Sequence, residues 1–435
     1  MKKSEILSIF TFLTGVCLTG FCLMGPQDAR CATVSELHIT GAKTATPVLR
    51  RLIDSREGTE FDAQTWEADL RRLRNTEIFY DIRASTSDGP AGKVLRLELK
   101  NKFPTIPIFK FKQGGGTSHL TAGIYDVNLF NRYLEAGAQY ERMNDKNGFV
   151  AWFRHPYLLS RKNRFGTEVY VHTINLPLLT LKGANEANFD NEEIRWNARL
   201  QRLWSETLRF TLEGSVYKNL FRADNSTFEK MVRNAAFQQR RPLREGHTVS
   251  ITPSVTLGRL DRDEFYVTGQ EATLEGEFAD GIFGSDFNFI RGEITHVSGF
   301  RPARRVNLAS NLRIGSKSGR EFQHKFYLGG LDSARGFVDG QFRGEHMWQA
   351  NLEARPTLIE RPLWVLQGNV FTDLSKTWDS TNFGIDGFAQ PFWSYGLGFR
   401  VILPRVYRAI LRVDFARTHQ PVRQFGMSLG LQQFF

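Results

Sequence analysis

The sequence predicts an all-β transmembrane barrel of about 16 antiparallel strands, preceded by a small α+β domain, in a protein exported to the bacterial outer membrane. Three observations support this prediction. The chain begins with two lysines and a long apolar run, residues 33–102 mix strand-like and helix-like patterns, and residues 103–435 alternate apolar with polar side chains to the end. We therefore divide the chain into a leader over residues 1–32, a soluble domain over residues 33–102 and a barrel over residues 103–435.

The composition excludes one class of membrane protein and leaves another open. The 435-residue chain has a mean hydropathy of −0.35 and 24% charged residues, which excludes a bundle of transmembrane helices. A barrel stays compatible, because only every second residue of a barrel strand faces lipid. The net charge of +11 and the pI of 9.6 would suit a nucleic-acid partner. Export would separate the chain from nucleic acid, however, and acidic residues are interleaved with the basic ones, so we expect no such partner.

The first 32 residues are predicted to be a signal peptide that is removed from the mature protein. Lys2 and Lys3 precede a mostly apolar run over residues 6–24, and a segment of small and polar residues follows. A retained N-terminal anchor is the alternative, since the run is nearly long enough to span a bilayer. All three cysteines lie in this leader, so a disulfide framework is not expected: Cys17, Cys22 and Cys31.

Residues 33–102 are predicted to fold in the order β-α-α-β-β. A short strand covers residues 34–39, and Thr46, followed by proline, reads as the N-cap of a first helix. Asp62 precedes a second helix, and strands are expected over residues 78–84 and 93–100. The second helix carries three apolar residues on one face: Trp66, Leu70 and Leu73. Two helices on a three-stranded sheet would enclose a modest core.

The rest of the chain alternates with a period of two, which is typical of β-strands. A soluble sandwich would also alternate, but here the apolar stripes run for about 8–12 residues, close to the 9–11 of a tilted membrane strand. The opposite faces carry Arg, Glu and Asn, as expected of a polar lumen. The strand count is 16, with 14 or 18 as alternatives. The longest loops are expected at residues 218–247 and 315–343.

The second of these long loops carries a recognisable segment. Residues 329–337 read Gly-Gly-Leu-Asp-Ser-Ala-Arg-Gly-Phe. The last four residues resemble the Val-Arg-Gly-Phe loop signature of the BamA/TamA superfamily of outer-membrane assembly proteins (bacterial surface antigens), with Ala334 in place of valine. Residues 371–375 are similar to the Phe-x-Asp-x-Gly strand of that family, with Ser375 in place of glycine. The domain over residues 33–102 resembles a single POTRA domain, the periplasmic unit of the family.

Two weaker similarities agree with this resemblance. The segment from Gly344 to Glu353 is similar to the family's glycine followed by an inward glutamate. Residues 125–129 and 155–157 are similar to its early Asp-Asn and Asn-Pro-Tyr segments. Each motif alone has little weight, but together they occur in the family's order and cover essentially the whole mature chain.

The alternation also places two carboxylates in the predicted lumen. Apolar residues on either side point toward lipid, which turns Glu353 and Asp373 inward on adjacent strands. The loop signature that precedes them has four residues: Ala334, Arg335, Gly336 and Phe337. An arginine folded into the lumen could form charge-assisted bonds with both carboxylates, and the family resemblance implies the same pairing. The alternative is that each charge is simply solvated.

The last strand shows the same alternation. It resembles the terminal recognition strand of outer-membrane proteins. The resemblance to the BamA/TamA superfamily further implies that the first and last strands meet at a seam that can open. The residues that we assign to it are Phe425, Gly426, Leu429, Leu431 and Phe435. Glycines on its lumen side would leave it thinly packed.

We find no catalytic, cofactor-binding or metal-binding motif, so we expect neither an enzyme nor a cofactor. The resemblance implies a factor that inserts or translocates other polypeptides by strand templating. Its expected partners are unfolded outer-membrane or secreted polypeptides and outer-membrane lipid. A passive pore and a barrel that only anchors the periplasmic domain are the alternatives.

Overall fold

The computed structural model describes residues 32–114, 117–233, 243–263, 265–319, 321–330, 333–380, 385–406 and 409–431. The predicted leader therefore lies outside the described residues, except for Ala32. No helix in the described part of the chain is long and apolar enough to cross a membrane.

The described residues begin with a domain of three strands and two helices. Its elements are β1 Val34–Thr40, α1 Thr46–Leu52, α2 Ala63–Asn75, β2 Phe79–Gly89 and β3 Gly92–Asn101. The sheet order is β1-β3-β2, with β1 parallel and β2 antiparallel to β3. The predicted order β-α-α-β-β is confirmed, and β2 and β3 are the two longer of its strands.

The two helices begin for different physical reasons. The Asp62 carboxylate accepts hydrogen bonds from the backbone N–H groups of Gln64 (3.1 Å) and Thr65 (2.9 Å), which would otherwise be unpaired at the start of α2. The buried face of α2 carries Trp66, Leu70 and Leu73, as predicted. The prediction that Thr46 is an N-cap is wrong: Thr46 is already helical, and Ala45, which has no capping oxygen, holds the cap position. Pro47 in the first turn fixes the helix start instead.

Replacing Asp62 with alanine should destabilise the first turn of α2, because two backbone donors lose their partner. Hydrogen exchange of the α2 amides in the full chain would measure this change as faster exchange in the first turn. Glu67→Ala is the matched control, since Glu67 is exposed on the same helix and pairs only with Arg74 in the described structure. Equal exchange rates in the two variants would contradict the capping role.

The remaining strands form one antiparallel sheet of 16 strands, the number predicted. These are β4 Thr105–Gly114, β5 Thr117–Leu129, β6 Leu134–Met143, β7 Lys146–His155, β8 Asn163–Leu179, β9 Asn185–Leu203, β10 Leu208–Ala223, β11 Gly246–Asp263, β12 Tyr266–Ala279, β13 Phe289–Ala303 and β14 Val306–Lys317, then β17 His346–Glu360, β18 Val365–Trp378, β19 Phe392–Ile402, β20 Ile410–Gln420 and β21 Phe425–Leu431. Each strand pairs with its neighbours in sequence, except that β14 pairs with β17 across a long loop.

The first predicted long loop is shorter than expected and contains a helix, and the second contains a small sheet. Strand β10 continues to Ala223, β11 begins at Gly246, and helix α3 (Asn225–Arg233) lies between them. The second loop contains a two-stranded sheet of β15 (Phe326–Leu328) and β16 (Phe342–Gly344). At the end of β10 the outward face carries Lys218 and Arg222 while the inward face carries Phe221, so the alternation that marks a strand is lost before the hydrogen bonding ends.

The two faces of the barrel sheet differ as predicted. Outward residues such as Ile194, Trp196, Leu212 and Ile294 are 50–60% exposed and apolar, a surface suited to lipid. Most inward residues on β17, β18 and β20 are buried and polar or charged. A small aromatic core lies inside the barrel beneath the loop sheet, where Phe342 stacks on Phe392 with ring centroids 3.7 Å apart.

Candidate functional site

The signature segment lies inside the barrel, between the long loop and the strand wall. Ala334 and Phe337 pack into the aromatic core of the lumen, and the ring of Phe337 meets that of Phe342 edge-on at 4.9 Å. Apolar packing on both sides of Arg335 therefore fixes the loop and holds the arginine away from solvent. Its side chain is 0% exposed.

Arg335 binds the two carboxylates that the alternation placed in the lumen. Its Nε and Nη2 atoms donate to the two oxygens of Asp373, both at 2.8 Å, in a bidentate arrangement. Its Nη1 atom lies 2.5 Å from Glu353 Oε1, and its backbone N–H also donates to Asp373 at 3.1 Å. The guanidinium stacks on the ring of Phe371, 3.5 Å from the centroid. Arg335 is thus held by the N–H groups of its guanidinium, by its backbone N–H and by the plane of its guanidinium at the same time.

The pair belongs to a larger buried cluster that we name the lumen charge cluster. It contains four arginines and three carboxylates, all at most 4% exposed: Arg335, Arg355, Arg400, Arg412, Glu353, Asp373 and Asp414. Glu353 lies at its centre and accepts from Arg355 at 2.6 Å and from Arg400 at 3.2 Å. Arg400 also reaches Asp414 at 3.2 Å. The cluster joins the loop to β17, β18, β19 and β20.

Four members of this cluster were not predicted from the sequence: Arg355, Arg400, Arg412 and Asp414. A signal for them exists, because each occupies an inward position in the alternation of its strand. Alternation shows which face a residue occupies, but the depth at which neighbouring strands align depends on their register. The register sets Arg400 opposite Arg412, with Asp414 one inward position further along β20.

The signature also contacts the last strand. The carbonyl of Gly336 accepts a hydrogen bond from Gln424 Nε2 at 2.8 Å. Gly426, on β21, lies so close to the loop that a Cβ atom there would be 2.8 Å from Gly336 Cα. The loop therefore rests directly on the backbone of β21, and only glycine fits between them.

The other predicted residues of the last strand are distributed over its two faces. The side chain of Phe425 is 70% exposed on the outward face, and Leu429 is half-buried. Leu431 ends β21, and Phe435 lies outside the described residues. Strands β4 and β21 are the two ends of the sheet and lie side by side. Over the residues described for these two strands, no backbone ladder joins them.

The N-terminal domain contacts one end of the barrel, and we call the turns at that end the proximal turns. Arg71 on α2 pairs with Glu206 at 3.2 Å, and Glu77 pairs with Arg262 at 2.7 Å. The backbone N–H of Phe103 donates to the carbonyl of Arg405 at 3.1 Å. Apolar residues of the domain and of β4, β5 and β7 form one continuous core. The domain is therefore docked on the barrel.

One docking contact is sensitive to pH. Asp54, which follows α1, accepts a hydrogen bond from Arg161 in a proximal turn and another from Arg72 at 2.9 Å. Burial of the Asp54 carboxyl would raise its pKa, but the hydrogen bonds and positive charges of Arg161 and Arg72 outweigh this effect. They hold the pKa below its ordinary value of 3.8.

Arg161→Ala should weaken docking and remove part of its acid sensitivity. Because the pKa of Asp54 is lowered, its stabilising effect is complete above pH 3.8 and is lost as the pH falls through the lowered value. The Asp54 side chain is 39% exposed, so solvent screening keeps the effect below about 1 kcal/mol. Hydrogen exchange of α1 and α2 at neutral and acidic pH would measure it, with Lys162→Ala as control. If wild type and Arg161→Ala lose protection equally on acidification, this contact does not contribute.

Comparison with known proteins identifies the family. The chain matches the Omp85 superfamily domain over residues 128–433 and the surface antigen variable number repeat, a POTRA unit, over residues 32–101. It is 24% identical over 310 residues to outer membrane protein assembly factor BamA of Nitratidesulfovibrio vulgaris. That match covers 68% of this chain and 36% of BamA, so the chain spans about a third of this relative's length.

Solved structures share the fold. BamA from Haemophilus ducreyi lacking POTRA domains 1–3 has a TM-score of 0.56 at 15% identity, covering 92% of this chain and 84% of that one. CdiB from Acinetobacter baumannii has a TM-score of 0.61 at 13% identity, covering 93% and 74%. CdiB from Escherichia coli has a TM-score of 0.64 at 11% identity, covering 92% and 76%. The resemblance to the BamA/TamA superfamily is thereby confirmed, and the chain belongs to the Omp85 superfamily as an outer-membrane β-barrel protein with an N-terminal POTRA domain.

Proposed function

We propose that this protein inserts or translocates unfolded outer-membrane or secreted polypeptides at the outer membrane by strand templating. The observation that carries the proposal is the pair of end strands, β4 and β21, which lie side by side without a backbone ladder in their described residues. An unpaired strand edge in lipid is energetically unfavourable and can be satisfied by another strand. An incoming hairpin would supply that strand.

The thin packing of β21 supports the same role. Its inward residues include Gly426 and Gly430, and the described part of the strand is seven residues long. A short strand with few side-chain contacts separates from its neighbour more easily than the long strands of the opposite wall. The rest of the barrel is held by continuous ladders, so movement would be concentrated at this seam.

The POTRA domain would supply the first contact with the client. Strand β2 is at one edge of its sheet, and most of the strand is exposed. An extended polypeptide can add to such an edge by β-augmentation. The filled lumen argues against the passive-pore alternative, since the loop bearing Arg335 lies within the barrel and is bound to three of its strands.

Reconstitution of the mature protein into liposomes tests this proposal. An unfolded outer-membrane protein is added, and its folding is followed by gel mobility and protease protection. We expect faster folding than in empty liposomes, and loss of the effect on deletion of residues 33–101. Steady ion conductance without any acceleration would instead support a passive pore.

A photoreactive residue would test the seam directly. Placed at Phe109 on β4, which is 59% exposed, it should crosslink to a client during folding. Ile294 on β13 is 52% exposed on the far wall and is the matched control. Equal crosslinking at both positions would contradict templating at the seam, even if the protein accelerates folding.

A further inference from the structure

The POTRA edge strand β2 and the proximal turns enclose a strongly basic cleft of about 580 Å³. Five arginines line this arginine cleft: Arg83, Arg304, Arg305, Arg361 and Arg405. Two carboxylates accompany them, and one of these, Asp81, is paired with both Lys100 and Arg83 at 3.1 Å. Within the described residues, Arg304, Arg305, Arg361 and Arg405 form no ion pair with a carboxylate.

The backbone around these arginines is fixed. The carbonyl of Arg304 accepts two hydrogen bonds from the Arg301 guanidinium, at 2.6 and 3.1 Å, and that of Arg305 accepts from the Thr357 N–H at 2.7 Å. The N–H of Arg361 closes a tight turn onto the Trp364 carbonyl at 3.0 Å. Like charges held close together repel one another, so an anion that enters the cleft relieves this repulsion without first ordering the turns.

The edge strand indicates what kind of anion fits. Tyr80 and Arg83 lie on β2, whose outer edge has no partner strand among the described residues. Only a polypeptide can pair with that edge through its backbone while its side chains reach the arginines. Arg405 lies over the ring of Tyr80, 5.7 Å from its centroid, which brings the basic wall against the edge strand.

An adjoining cavity of about 450 Å³ is lined by twelve apolar or aromatic residues and by three basic and three acidic ones, so it carries no net charge. It shares Tyr80 and Asp81 with the arginine cleft, and its apolar lining includes Phe79, Phe265, Tyr266 and Ile402. A strand that lies along β2 presents alternate side chains to opposite faces. The two cavities therefore match a strand in which acidic residues alternate with apolar ones.

We propose that the arginine cleft docks an extended polypeptide segment in which acidic and apolar residues alternate. The docked segment pairs with the edge of β2 next to the turn between β19 and β20, one hairpin away from the seam strand β21. This inference rests on the proposed function and adds the charge pattern of the client that the site selects. Basic or uncharged segments are not retained there.

The test uses the full mature chain in nanodiscs of zwitterionic lipid. The probe is a labelled peptide of alternating glutamate and valine, compared with the same peptide carrying glutamine for glutamate. We expect the acidic peptide to bind more tightly, and the R304Q/R305Q double variant to bind it about three- to tenfold more weakly. The preference should fade between about 0.1 M and about 1 M salt, as the Debye length falls from ~10 Å to ~3 Å. R50Q/R51Q on exposed α1 removes the same charge and should not change binding.

Equal binding of the two peptides, or equal loss in R304Q/R305Q and R50Q/R51Q, would overturn this inference. Retention of phosphatidylglycerol by the wild type but not by R304Q/R305Q, with peptide binding unchanged, would also overturn it and make the cleft a lipid site. Client folding in liposomes keeps the two proposals separate. If the wild type accelerates folding but does not distinguish the peptides, only the cleft proposal fails. If the wild type does not accelerate folding at all, the proposed function fails whatever the peptides show.

Discussion

Replacing Arg335 with alanine should lower the free energy of unfolding of the barrel by about 3–5 kcal/mol. The variant leaves Asp373 without its bidentate partner and Glu353 without one of its three arginines, in a site that is closed to solvent. Leaving a buried carboxylate without its partner lowers the free energy of unfolding by far more than an exposed ion pair raises it. Thermal unfolding and the heat-modifiability of the folded band on a gel would measure the change.

Two controls separate the buried pairing from a general loss of charge. Arg222 pairs with Glu192 on the surface, with a side chain that is 70% exposed, so Arg222→Ala should change stability by less than about 1 kcal/mol. Arg335→Lys keeps the charge but loses the fork, and should fall between wild type and Arg335→Ala. If Arg335→Ala were as stable as Arg222→Ala, the lumen charge cluster would not hold the loop.

A double variant tests whether the cluster acts as one unit. Asp373→Asn in the Arg335→Ala background removes the charge that the first substitution leaves unpaired. The two changes should therefore destabilise the barrel by less than the sum of the single effects, since residues in one ion-pair network are coupled. Additive effects would indicate that Arg335 and Asp373 act independently.

The sequence was sufficient for those parts of the structure that depend on alternation. It placed Glu353 and Asp373 on the lumen face, because a strand with one apolar face has only one possible orientation. It could not place Arg400 and Asp414 beside them, because that requires the register of β19 and β20 and the depth of the loop. Those quantities depend on contacts between segments far apart in the chain.

The docking of the POTRA domain was also beyond the sequence. Arg161 and Asp54 are separated by 107 positions, and neither lies in a pattern that marks an ion pair. The prediction that Thr46 is the N-cap was wrong for a local reason. Proline fixes the helix start without a capping oxygen, so the cap position is Ala45, one residue before Thr46. Alternation and local signals thus predict the elements, whereas contacts between them need the folded chain.

The contact between the loop and β21 links the lumen charge cluster to the seam. Gly426→Val should lower the free energy of unfolding by about 1–3 kcal/mol, because its Cβ would lie 2.8 Å from the backbone of Gly336. The loop is held at Arg335 by four hydrogen bonds to Asp373 and Glu353. Strand β21, whose described residues have a ladder to β20 alone, is the element that can shift.

The Gly426→Val variant therefore shows whether β21 or the loop moves when the contact between them is disturbed. If β21 moves away from the loop, hydrogen exchange should increase in β21 and in β20 opposite it while β17 and β18 remain protected. Ser428→Ala is the control on the same inward face: the Ser428 hydroxyl is buried without a hydrogen-bond partner among the described residues, so its removal should be nearly neutral. Faster exchange in β17 and β18 instead would mean that the loop yields first. The loop signature would then be held less firmly than β21, and the side chain introduced at position 426 would not displace the seam strand.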